Sequence, residues 1–131
     1  MAKKIPIGLW QAALKTYLGD NTSRDELATA VRGLLQNLAE RYPGKTVEVR
    51  VPPFGAVQCM GGPEHTRGTP ANVVELRPEV FLDLALGRGA WDVLQSEGRI
   101  SATGARSNLA ELFPLLSAAE IERIQSQYQA E

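Results

Sequence analysis

Between residues 7 and 42 apolar side chains return every three or four positions. Ile7, Trp10, Leu14, Tyr17 and Leu18 thereby gather on one face of a helix, which Gly19-Asp20-Asn21 stops. Ser23 and Glu26 have the spacing of a capping box. From there Leu27, Val31, Leu34, Leu35, Leu38 and Tyr42 mark the stripe of a second, longer helix ended by Pro43-Gly44. After residue 45 the period drops to two. In Thr46-Val47-Glu48-Val49-Arg50-Val51 the valines share one face and Thr46, Glu48 and Arg50 the other, the pattern of a half-buried antiparallel strand broken by Pro52-Pro53. Phe54 to Met60 and Asn72 to Arg77 predict two further strands, separated by the polar, breaker-rich stretch Gly61 to Ala71.

Pro78 suits the first turn of a helix reaching about Leu86, with Phe81, Leu84 and Ala85 inward and Gly87 as the stop. Ala90 to Glu97 predicts a shorter helix and Arg99 to Thr103 a fourth strand. Leu109, Leu112, Phe113 and Leu116 predict another helix, ended by Pro114. Ser117 and Glu120 repeat the capping-box spacing before a final helix from Ala118 to about Tyr128, with Ile121, Ile124 and Tyr128 on its apolar face. This order predicts an α+β fold, with a mainly antiparallel sheet of four to five strands and helices packed on one face. An N-terminal helical pair (1–44) precedes the sheet plus helices (45–131) in a single domain. The short connections favour antiparallel pairing.

Composition narrows the class. A chain of 131 residues, 44% hydrophobic, supports one core rather than two. Fourteen basic against fifteen acidic groups, with no more than two basic residues in a row, argue against nucleic acid as a partner and against electrostatic docking on anionic membranes. One Cys and one His make neither an internal disulfide nor a structural zinc site, so no metal and no cofactor is expected. No apolar run approaches the ~20 residues that cross a bilayer, and Pro6, Gln11 and Lys15 interrupt the segment after the basic start. A soluble, cytoplasmic protein without an export signal is the expectation.

The run Val80-Phe81-Leu82-Asp83-Leu84-Ala85-Leu86-Gly87, then Ser96-Glu97-Gly98-Arg99-Ile100-Ser101-Ala102-Thr103-Gly104, then Leu109 to Leu112, resembles the C-terminal half of sterol carrier protein-2-like (SCP2) domains. The recognisable spacing covers residues 72 to 116, and the loop His65-Thr66-Arg67-Gly68-Thr69-Pro70 looks like that of the family's bacterial, mostly actinobacterial, branch. The resemblance implies an SCP2-like domain whose helices leave an apolar tunnel over the sheet. Relatives use that tunnel to bind fatty acyl chains, acyl-CoA or sterols without catalysis. The chain differs from eukaryotic members in its extra N-terminal helix pair and in Gln127 to Glu131, which do not resemble a peroxisomal address.

Two sets of residues are candidates for the site. Phe81, Leu84, Trp91, Leu94, Ile100, Leu109, Leu112 and Phe113 either line a hydrophobe cavity or interdigitate as a filled core. His65 and Arg67, with Thr69 and Asn72, either form a polar mouth in which Arg67 grips a carboxylate or phosphate, or satisfy backbone groups of a rigid loop. The leading expectation is a non-catalytic protein that binds or carries a lipid-like ligand. The alternatives are an enzyme-associated or interaction module with a filled core, and a weak activity built on a Cys59–His65 dyad.

Overall fold

The computed structural model describes residues 4–62 and 71–127. Helix α1 (Ile7–Leu18) and helix α2 (Arg24–Arg41) fall where the apolar period places them. Ser23 caps α2 as its spacing predicts: Ser23 Oγ accepts from the Glu26 backbone at 3.1 Å, and Glu26 Oε1 accepts from the Ser23 backbone at 3.1 Å. Trp10, Ala13 and Leu14 of α1 pack onto α2, whose Val31, Leu34, Leu35 and Leu38 are buried. Ile7, grouped with that face by its spacing, is 63% exposed instead; it is the first residue of α1, and the buried face of the helix begins at Trp10.

Strands β1 (Val47–Val51), β2 (Gly55–Cys59), β3 (Val73–Leu76) and β4 (Ile100–Thr103) form one mixed sheet in the order β2-β1-β3-β4. The β1–β2 and β3–β4 pairs are antiparallel and the central β1–β3 pair is parallel. That parallel pair departs from the antiparallel pairing the short connections favoured. The chain leaves β2 beside the start of β1 and enters β3 beside that same end of β1, on its other side. A hop of this kind over one strand end leaves β3 running with β1.

The registers give the sheet two unlike faces. Val47, Val49 and Val51 pair with Cys59, Val57 and Gly55, Val49 with Val74, and Val74 and Leu76 with Ala102 and Ile100, so one face is apolar. Between them, Glu48, Arg50, Gln58, Glu75, Ser101 and Thr103 point to the opposite face. Thr46, expected on the polar side, is 4% exposed because it precedes β1 and lies under the chain at Gly62.

Helix α3 (Pro78–Ala85), with proline in its first turn, and helix α4 (Trp91–Ser96) connect β3 to β4. The predicted helix over Leu109 to Leu116 is reduced to a single 3₁₀ turn, Ala110–Leu112. Phe113 is already extended there, and the Leu115 and Leu116 amides donate to the Ala85 carbonyl at 2.9 and 3.1 Å rather than along a helix. Helix α5 (Ala118–Gln127) carries the second capping box, with Ser117 N donating to Glu120 Oε1 at 2.9 Å and Glu120 N to Ser117 Oγ at 3.1 Å. Ile124 is its one fully buried side chain and Ile121 is partly buried, while Tyr128, expected beside them, lies outside the described residues.

Candidate functional site

The eight apolar candidates come together. Phe81, Leu84, Trp91, Leu94, Ile100, Leu109 and Leu112 are buried, and Phe113 packs partly buried against them. The Phe113 ring meets Phe81 edge-on, with centroids 6.3 Å apart and planes at 88°, and stacks on Trp91 at 6.3 Å with planes 19° apart. Trp91 Nε1 donates to Gln95 Oε1 at 3.1 Å, which turns the indole's polar edge to the α4 surface. A cleft of about 280 Å³ beside this cluster reaches only Leu84, Trp91 and Phe113 of the eight, together with Ala110 and Pro114.

Of the polar candidates, His65, Arg67 and Thr69 lie outside the described residues. Asn72 is 7% exposed and both ends of its amide are bonded: Nδ2 donates to the Thr46 carbonyl at 3.0 Å, and Oδ1 accepts from the Arg106 backbone at 2.8 Å. It ties the starts of β1 and β3 to the chain after β4, the backbone-satisfying role rather than a mouth. Gly104 makes this closure possible. A Cβ there would sit 2.3 Å from the Ala71 carbonyl oxygen, and its φ of +103° suits glycine alone.

Cys59 is a buried thiol, and its supposed dyad partner His65 lies outside the described residues. The Cys59 side chain faces the helices at the end of β2, and burial pushes the thiol up to about 11, so it stays protonated near neutrality. Among the described residues no group of three or more His, Cys, Asp or Glu could hold a metal ion.

A larger and more apolar opening lies where the sequence drew no attention. Between α2 and the edge strand β2 runs a groove of about 510 Å³ walled by Ile5, Leu35, Ala39, Phe54, Ala56 and Val57. Its rim is polar. Lys4 pairs with Glu40 at 2.7 Å, and Arg32 Nε donates to the Phe54 carbonyl at 2.8 Å. The extended segment before α1 crosses one side, held by Gln36, whose Oε1 accepts from Ile5 N at 2.8 Å and whose Nε2 donates to Ile5 O at 2.9 Å. The available signal was the small size of Ala39 and Ala56, which leaves space where α2 passes the outermost strand.

A protein-family model described as bacterial SCP ortholog matches residues 23–115, more than half of the chain. The chain belongs to this bacterial sterol carrier protein family. No curated protein matches it. The sterol carrier match runs from the Ser23 cap through the sheet to Leu115, and so includes α2 and β2, the two long walls of the groove. It excludes α1 and the Lys4–Ile5 segment, so the groove's strap is an addition to the matched sterol carrier unit.

Proposed function

We propose that this sterol carrier family member binds a lipid-like hydrophobic molecule, a fatty acyl chain, acyl-CoA or a sterol-like compound, and carries it in the cytoplasm without chemical change. The apolar groove between α2 and β2 is the observation that supports this reading. Its volume of about 510 Å³ falls within the ~300–1,000 Å³ of small-molecule sites. Each methylene buried there contributes roughly 0.8 kcal/mol, so a medium-length acyl chain reaches micromolar affinity with no catalytic group. Arg32 at the rim, which spends only Nε on the Phe54 carbonyl, suits a carboxylate or phosphate at the chain's end. The protonated thiol of Cys59 agrees with carriage rather than chemistry. No helix among the described residues is long and apolar enough to cross a membrane.

The close packing of Phe81, Trp91 and Phe113 supports a second reading, an interaction module whose tunnel is filled. In the carrier reading the Trp91–Phe113 cleft is a secondary seat. Native mass spectrometry of protein from a lipid-rich lysate, with a thermal-shift panel of fatty acids, acyl-CoA and sterols, separates the two. Carriage predicts an adduct and stabilisation by one ligand class, both lost in Ala39→Phe, which fills the groove. No adduct and no stabilisation by any class overturns carriage and leaves the filled module.

A further inference from the structure

We propose that Arg77 and Arg99 form a binding site for a phosphate monoester at the end of the β3–β4 ladder. Leu76 pairs with Ile100 as the last rung of the β3–β4 ladder, so Arg77 and Arg99 are the residues that flank that rung, one on each strand. Two cations at one strand end repel each other unless an anion or an acidic partner lies between them. Here both positions are arginine and both are exposed, and among the described residues neither guanidinium has an ion pair or hydrogen bond. The fold therefore brings two planar five-donor groups to one cleft with their donors unused.

Their surroundings make this a concave site rather than two neighbouring surface charges. A cleft of about 510 Å³ has Arg77, Arg99 and Ser101 as its donors, with Pro52, Leu76 and Val80 along the apolar part of its wall. Arg77 is also the N-cap of α3, and no side chain caps that helix, so the positive end of its dipole adds to the two guanidiniums. Glu75 is the cleft's one acid; it stands opposite Arg50 across the β1–β3 pair and makes no ion pair with Arg77 or Arg99. The balance favours an anion. Two forks suit a phosphate dianion, whose three terminal oxygens can take both, better than a carboxylate, which one fork saturates. The cleft exceeds a bare phosphate, which leaves room for the ester's organic part beside exposed Pro52.

This site is separate from the α2–β2 groove, and neither proposal depends on the other. The test is an amide NMR titration of the full chain with inorganic phosphate, glycerophosphate and octyl phosphate. Saturable shifts are expected at Arg77, Glu79 to Phe81 and Gly98 to Ser101. Arg77→Ala and Arg99→Ala each weaken binding about tenfold, from loss of a charge-assisted pair. Arg77→Lys and Arg99→Lys retain part of it, because charge remains without the fork. Glu75→Gln tightens it, which a merely structural glutamate would not do. Octyl phosphate binding tighter than glycerophosphate identifies a lipid headgroup, the reverse order a free metabolite-like ester, and both support the site. Shifts that do not saturate, or that persist unchanged in the Arg77→Ala/Arg99→Ala double variant, overturn it.

Discussion

Gly33 lies directly against the indole of Trp10: a Cβ added to Gly33 would fall 2.2 Å from both Cβ and Cγ of Trp10. This contact lets α1 and α2 approach closely, and it reverses the usual effect of a helical glycine. On propensity alone Gly33→Ala would stabilise α2 by about 1 kcal/mol. The clash with a 3% exposed tryptophan has no flexible chain end to absorb it, so a net loss of roughly 1–3 kcal/mol is expected. Urea denaturation checks the sign, and a raised midpoint would show that Trp10 can move aside.

The buried thiol makes stability depend on pH in the alkaline range. Cys59 titrates near 9.0 when unfolded and about 11 when folded, because burial disfavours the thiolate. The folded state thus holds the proton more tightly. The thiol's contribution is fully present below about pH 9 and declines as pH rises toward about 11. Cys59→Val should flatten that part of the stability profile, and iodoacetamide should label the native parent slowly at neutral pH. Rapid native labelling would contradict the burial.

At the acid end the same reasoning runs the other way for Glu120. The Ser117 backbone amide, donating to its carboxylate, holds this side chain below its ordinary value, despite an opposing contribution from burial. Its contribution is present above the ordinary carboxylate range and is lost as pH falls through the lowered value. Glu120→Gln should lower the melting temperature modestly at neutral pH, where the carboxylate contributes, and remove that acid-side sensitivity. A parent and variant that lose stability in parallel on acidification would refute the assignment.

Ser23 caps α2, the helix that walls the groove. Ser23→Ala should cost about 1 kcal/mol, and Ser23→Gly only a few tenths, since glycine tolerates the cap backbone. Thermal melts of the two variants distinguish cap loss from a general surface effect, for which the two would be equal.

Phe113 links Phe81 to Trp91, and its removal should be read at the indole. Phe113→Ala should cost roughly 2–3 kcal/mol, below the figure for a fully buried phenylalanine because its ring is partly exposed, and should diminish the near-UV circular dichroism of Trp91. An unchanged near-UV spectrum would mean that the stack does not persist in solution.

Where local chemistry decides the structure, the sequence is a good guide. Ser23 with Glu26 and Ser117 with Glu120 announce their helices, and the alternating valines of β1 fix its buried face. Long-range choices are less legible. The parallel β1–β3 pair depends on which side of β1 the chain passes, and no residue of either strand records that. The turn at Ala110–Leu112 had the apolar spacing of a helix, but Pro114 and the hydrogen bonds to the Ala85 carbonyl draw the chain out instead. The Phe81, Trp91 and Phe113 grouping followed from the resemblance and from spacing. The groove did not, because a void is built from what Ala39 and Ala56 lack, and a missing side chain carries no periodic signal.

The clasp between Gln36 and Ile5 gives the groove an asymmetric mechanical character. Three of its sides are helix, strand and core, which open only by unpacking apolar surface. The fourth is latched by both ends of one amide to both polar groups of one residue. The two bonds must therefore break together, about 1–3 kcal/mol, and opening also parts the exposed Lys4–Glu40 pair and lifts partly buried Ile5, which is still less than unpacking a helix or strand from the core. A guest too large for the closed groove has one inexpensive wall to push against, and losing the Gln36 amide releases that wall without disturbing the other three.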